Sequence, residues 1–232
     1  MCKFFVVLTQ SSTPVFFPFF LFFFYFFFFF GQRYGCTGWT PEMLDRMLEL
    51  GKDRGFVEIG AGHGQWARAL MDADKSRREA DGYDNNTNVH SDKFFEFVLA
   101  YDTMEDLPLN TNVYHAYTKP AREYFYDRVR KMETTEATLR QWSCRGRILL
   151  LVYPSPGSMA LDTIKAYVAM GEENDMVVYV GEGRGGCNAN DELFEYFESN
   201  QEWILLDVLP GVAQPGGKGF ENMYILQWRS PR

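Results

Sequence analysis

Cysteine and histidine are what this chain has least of. Its 232 residues hold four cysteines, Cys2, Cys36, Cys144 and Cys187, far apart, and three histidines, His63, His90 and His115. No Cys-x-x-Cys pair occurs, so no metal site is expected. Scattered single cysteines do not make a disulfide framework; they read as reduced thiols in a cytosol-like compartment. Positive charge is also scarce. With 23 basic against 31 acidic side chains the net charge is -8, which repels polyanions and argues against nucleic acid as a partner. The basic runs beginning at Lys75 and Lys119 read as solvated faces. Gly-Lys-Ser and Gly-Lys-Thr are missing, which excludes a P-loop.

Aromatic residues are abundant but unevenly placed: fourteen of the 22 phenylalanines precede residue 31. The stretch from Val15 to Phe30 is apolar apart from Pro18 and is short of the roughly 20 residues that span a bilayer. The charged start is thin and no small-residue cleavage pattern follows, unlike a secretory signal. Two readings of residues 1–35 stay open. One is a short or tilted membrane anchor through residues 15–30. The other is low-complexity sequence translated from a pyrimidine tract upstream of the true start, since Phe, Leu, Pro and Ser can all be encoded by pyrimidines alone. The functional domain is expected over residues 36–232, a length that suits one α/β domain. It is expected to be cytoplasmic unless the anchor is real.

Punctuation of that region is regular. Thr40 and Pro41 start a helix with Met43, Leu44, Met47 and Leu48 on its apolar stripe, stopped at Gly51. "GFVEIG" reads as a buried strand, followed by a glycine-rich turn and a helix from Gln65 to about Met71. "ADGYDNN" supplies a second strand ending at Asp84. Between Asn86 and Arg147 the clusters "FFEFVLAY" and "EYFYDRV" compete for the third strand. A strand over Ile148–Tyr153, a helix over Met159–Met170, a strand over Met176–Val180 and an amphipathic helix in "NANDELFEYFESN" follow. "WILLDVLPG" and "ENMYILQWR" have no helix between them and form an antiparallel pair. The sum is a Rossmann-like, doubly wound α/β sheet, mostly parallel, with an antiparallel C-terminal strand.

In such a sheet ligands lie across the carboxyl ends of the strands. The first turn is Glu58-Ile-Gly60-Ala-Gly62-His-Gly64. A dinucleotide fingerprint needs its third glycine at position 65, which is Gln, and Glu58 would repel a pyrophosphate. An NAD-type oxidoreductase is therefore disfavoured. A tight strand-to-helix turn with no ligand is the plain structural alternative.

The spacing of Glu58, Gly60, Gly62 and Gly64, with Asp84 further on, resembles the class I S-adenosylmethionine-dependent methyltransferase family. "EIGAGHGQWARAL", "LLLVYPSPGSMAL" and "YVGEGRGGCNANDELF" are similar to an uncharacterised methyltransferase-like group. The resemblance covers most of Trp39–Arg229. It implies S-adenosyl-L-methionine as cofactor, with Glu58 facing its methionine end, the backbone of Gly60, Ala61, Gly62 and Gly64 close to it, and Asp84 on the ribose hydroxyls. It also implies methyl transfer to a small-molecule or protein acceptor, or else a methyltransferase-like module that binds without transferring.

Amine-methylating relatives carry Asn-Pro-Pro-Tyr or Asp-Pro-Pro-Tyr at the fourth strand's tip. Here Tyr153-Pro154-Ser155-Pro156 stands there, so the side chain that grips the target nitrogen is missing. Tyr153, Ser155 and Glu182 are the acceptor-side candidates, with packing as the plain alternative for Tyr153 and an ion pair with Arg184 for Glu182. His63 reads as a solvent-facing spacer and Trp66 as core. No dedicated acid or base is required by the chemistry, and no catalytic residue is assigned.

Overall fold

A computed structural model of the chain describes residues 33–34, 37–82, 95–105, 121–212 and 220–229. Residues 1–32 and Asp84 lie outside them. Among the described residues no helix is long and apolar enough to cross a membrane.

Helix α1, Pro41–Gly51, starts as the sequence predicts: the Thr40 hydroxyl accepts a hydrogen bond from the Met43 amide at 3.2 Å, satisfying one of the free amides of the first turn. Its buried side, Met43, Met47 and Leu48, ends at Gly51, where a Cβ would come within 2.4 Å of the Phe56 ring. Strand β1, Phe56–Ile59, is buried throughout.

The next helix, α2, spans Gln65–Ala80, about nine residues beyond the expected end. Ion pairs at helical spacing carry the extension: Arg68–Asp72, Lys75–Glu79, and Asp74 with both Arg77 and Arg78. Polar side chains three and four apart stabilise a helix with no apolar stripe to betray it.

Ala80 is therefore helical and Asp81 and Gly82 form its closing turn, so no strand begins there. The place beside β1 expected for a strand ending at Asp84 is held by β2, Val98–Asp102, which pairs with β1 in parallel over Phe56–Val98 to Ile59–Tyr101. Because β1 pairs on its other side with β4, Ile148–Val152, both its edges are filled. The third strand, β3, is only Arg130–Lys131, just past the "EYFYDRV" cluster.

The rest follows the expected order. Helix α3 covers Thr135–Leu139, α4 Met159–Val168 and α5 Asp191–Ser199; strand β5 covers Met176–Gly181, β6 Trp203–Pro210 and β7 Asn222–Trp228. The seven strands stand in the order β3-β2-β1-β4-β5-β7-β6, parallel from β3 to β5, with β7 antiparallel to both its neighbours. Helices α1 and α2 cover one face with Met43, Met47, Trp66 and Leu70; α4 and α5 cover the other with Ile164, Tyr167 and Leu193.

At the amino ends of the central strands, buried Arg147 donates to the carbonyls of Ser143, Phe56, Glu96 and Phe97. Its charge is thus solvated by backbone rather than by a carboxylate. The strand order reverses between β1 and β4, which opens the sheet's carboxyl edge there.

Candidate functional site

The turn after β1 is built to be left-handed. Gly60, Gly62 and Gly64 have φ of 77°, 57° and 74°, angles that cost other residues roughly 1 kcal/mol or more. The glycines differ in what surrounds them. A Cβ on Gly64 would come within 2.6 Å of Val129 and 2.7 Å of Tyr126, so that glycine admits the 121–129 segment against the loop. At Gly60 the neighbour is the Met159 methyl, 3.1 Å away. Gly62 has nothing within 4 Å: it is the open face of the turn.

Four amides of this turn are already in use. Gly60 and Ala61 both donate to the Tyr101 carbonyl, at 2.9 and 3.0 Å. Gly62 donates to the Asp102 carboxylate at 2.8 Å, and the other carboxylate oxygen of Asp102 accepts from the Met104 amide at 2.7 Å. Gly64 donates to the Ala61 carbonyl. A phosphate cradle works by presenting free amides to the anion, and here Gly60, Ala61, Gly62 and Gly64 have spent theirs on the chain itself. Each Asp102 oxygen keeps a second lone pair for an incoming hydroxyl.

Glu58 projects beneath this turn, 2 % exposed, with its Oε2 buried and without a partner. Two effects oppose each other at its carboxyl. Burial, followed by the nearby charge of Asp102, pushes its pKa up from 4.5 to about 8, while the Ala67 amide in the first turn of α2 favours the ionised form. Desolvation wins. A carboxyl with that pKa is mostly protonated at pH 7, where the sequence alone suggests a fixed anion. It also takes the α2 N-terminus, the position a pyrophosphate occupies in a dinucleotide fold.

His63 is half-buried, not a solvent-facing spacer: its ring stacks on Phe125 at 3.9 Å and its carbonyl accepts from the Tyr126 amide. Burial lowers its pKa, with Asp102 pulling the other way. Trp66 is core, its indole N–H donating to the Thr37 carbonyl at 3.0 Å.

On the β4–β5 side, Tyr153 follows β4 with φ of 47° and donates its amide to the Val180 carbonyl at 2.7 Å. A left-handed tyrosine is backbone strain of the kind that gathers at sites. Ser155 is exposed. Glu182 is buried and does not pair with Arg184; it accepts from the Cys187 amide, and its own amide donates to Asn188. Arg184 pairs instead with Glu195 and Glu198 on α5, where the solvated helix face supplies carboxylates without a burial cost. Glu58, the glycine turn and Asp102 thus converge at the β1–β2 tips, Tyr153 and Glu182 at the tips of β4 and β5. Asp102 is not among the residues the sequence points to, because "FFEFVLAY" competes there for the third strand and not the second; the signal available is "VLAYD", an apolar run ending in a carboxylate.

No family model and no curated relative matches the sequence. Among solved structures, the ribosomal protein L11 methylase of Lactobacillus delbrueckii subsp. bulgaricus is similar with a TM-score of 0.40 and 11% identity, over 83% of this chain and 82% of that one. A likeness of that degree bears on neither ligand nor activity.

Proposed function

We propose that the chain binds S-adenosyl-L-methionine at the β1–β2 tips and passes its methyl group to a small-molecule or protein acceptor at the tips of β4 and β5. The observation that carries this reading is the combination of spent loop amides with a buried carboxyl at the α2 N-terminus. An anionic phosphate finds the amides of Gly60, Ala61, Gly62 and Gly64 already bonded within the chain and the α2 N-terminus already taken by Glu58. A cationic, phosphate-free adenosyl ligand finds a carboxyl oxygen with no hydrogen-bond partner and, at Gly62, an open backbone face.

Bound, the sulfonium supplies an electrophilic methyl group whose transfer discharges the cation. Glu58 holds the methionine end, ionising as the positive charge arrives. Asp102 takes the place first assigned to Asp84 and accepts the ribose hydroxyls through the lone pairs not used by Gly62 and Met104. Gly62 lets the ligand approach the backbone. Tyr153 and Glu182 line the acceptor side, with exposed Ser155 at its rim. These residues position the reactants and exclude water, which is where most of the acceleration of such a displacement can come from.

Calorimetric titration tests the binding step: S-adenosylmethionine binds and NAD does not. NAD binding with no response to S-adenosylmethionine contradicts the reading. Formation of S-adenosylhomocysteine in the presence of acceptor separates transfer from binding alone.

A further inference from the structure

A second buried carboxylate lacks a partner on the far side of the same edge. The last pair of residues in register between β5 and β7 is Gly181 with Asn222, so Glu182 and Glu221 face each other one step outward, where the strands part. Both are more than nine-tenths buried, at 6 % and 7 % exposure. Glu182 spends Oε2 on the Cys187 amide, whereas Glu221 Oε2 is buried with no partner. Among the described residues no Lys, Arg or His forms an ion pair with either.

Resting on the methyl-transfer reading above, we propose that Glu182 and Glu221 anchor the ammonium group of a small cationic methyl acceptor, whose methyl-accepting atom is a different atom of the same molecule, one that carries a lone pair. A buried carboxylate beside another is costly without a positive partner. Burial pushes the Glu221 carboxyl above its ordinary range and the neighbouring Glu182 adds to the rise, while Glu221's own amide opposes it. The chemistry selects the cation. Among the described residues no group of three or more His, Cys, Asp or Glu could hold a metal ion. A guanidinium wants two parallel acceptors, and one Glu182 oxygen is already taken; a compact ammonium needs one free oxygen and a nearby charge.

The two carboxyls stand apart along one edge of the sheet. From β1 to β7 there are three strand intervals, about 14 Å. Glu58 and Glu221, each with a buried unpartnered oxygen, are therefore separate poles, one for the cofactor's cation and one for the acceptor's. No bond is made or broken at the Glu182–Glu221 pair; it sets which acceptor enters and how it lies.

The test is titration of the full chain with n-propylammonium chloride and with its neutral analogue n-propanol, followed by NMR or calorimetry. Propylammonium is expected to bind at least about tenfold more tightly than propanol, and Glu221→Gln to remove most of that preference, since a charge-assisted bond is lost. Glu221→Asp, which keeps the charge, retains more of it than Glu221→Gln. S-adenosylhomocysteine affinity is unchanged in Glu221→Gln, so loss of cofactor binding in the wild type sinks the methyl-transfer reading and not the amine site. Equal binding of propylammonium and propanol, or a preference that survives Glu221→Gln, overturns the proposal. So does a wild type that binds no amine.

Discussion

Replacing Glu58 by Gln tests the electrostatic account without any ligand. In the folded chain this carboxyl titrates near 8 against an ordinary 4.5, with burial the main cause and Asp102 the second. Between those two values the folded state holds a proton that the unfolded state has released. Folding stability contributed by the group is therefore present below about pH 4.5 and is lost as pH rises to about 8. The whole shift corresponds to about 5 kcal/mol, of which about 2.5 kcal/mol is lost between pH 5 and pH 7. Gln cannot titrate. Its buried amide adds an offset that does not vary with pH, and the other ionisable groups largely cancel when variant and wild type are compared. Urea unfolding at 25 °C should show Glu58→Gln gaining on the wild type by about 2.5 kcal/mol from pH 5 to pH 7 and levelling off above pH 9. A difference that stays flat across that range refutes the raised carboxyl and the reasoning built on it.

The glycines offer a paired test. Gly64→Ala meets Val129 and Tyr126 as well as an unfavourable φ, and should cost about 3 kcal/mol or more in unfolding free energy. Gly62→Ala meets no atom; it should cost only about 1 kcal/mol in stability while weakening S-adenosylmethionine binding, as read by calorimetry. Asp102→Ala removes the acceptor of both the Gly62 and Met104 amides and should lower cofactor affinity by at least about tenfold, with a smaller loss for Asp102→Asn, which keeps one acceptor oxygen.

Much of the fold was legible because it is written in local chemistry. Thr40-Pro41 at one end of α1 and Gly51 at the other, the buried run Ile148–Val152, and the two apolar runs at the C-terminus that pair antiparallel all carry their own signals. What failed was the stretch where polar contacts replace apolar periodicity. Helix α2 continues to Ala80 through ion pairs, which hid the true end of the helix and moved the second strand from Asp84 to Asp102. At the site, the glycine turn and Glu58 were recognisable by spacing, yet the protonation of Glu58 depends on burial that only the packed α1–α2 face creates. Glu221 gave no warning at all: nothing in "GFENMY" says that its carboxyl is buried opposite Glu182.

The most direct measurement is the number of protons exchanged when S-adenosylmethionine binds. Titrations at pH 7 in buffers of different ionisation enthalpy report it as the slope of observed heat against buffer heat. With its carboxyl near 8 in the free chain, Glu58 should release close to one proton as the sulfonium arrives, and Glu58→Gln should lose that release. Binding with no proton released, or with the same release in Glu58→Gln, contradicts the claim that this carboxyl receives the cofactor's positive charge.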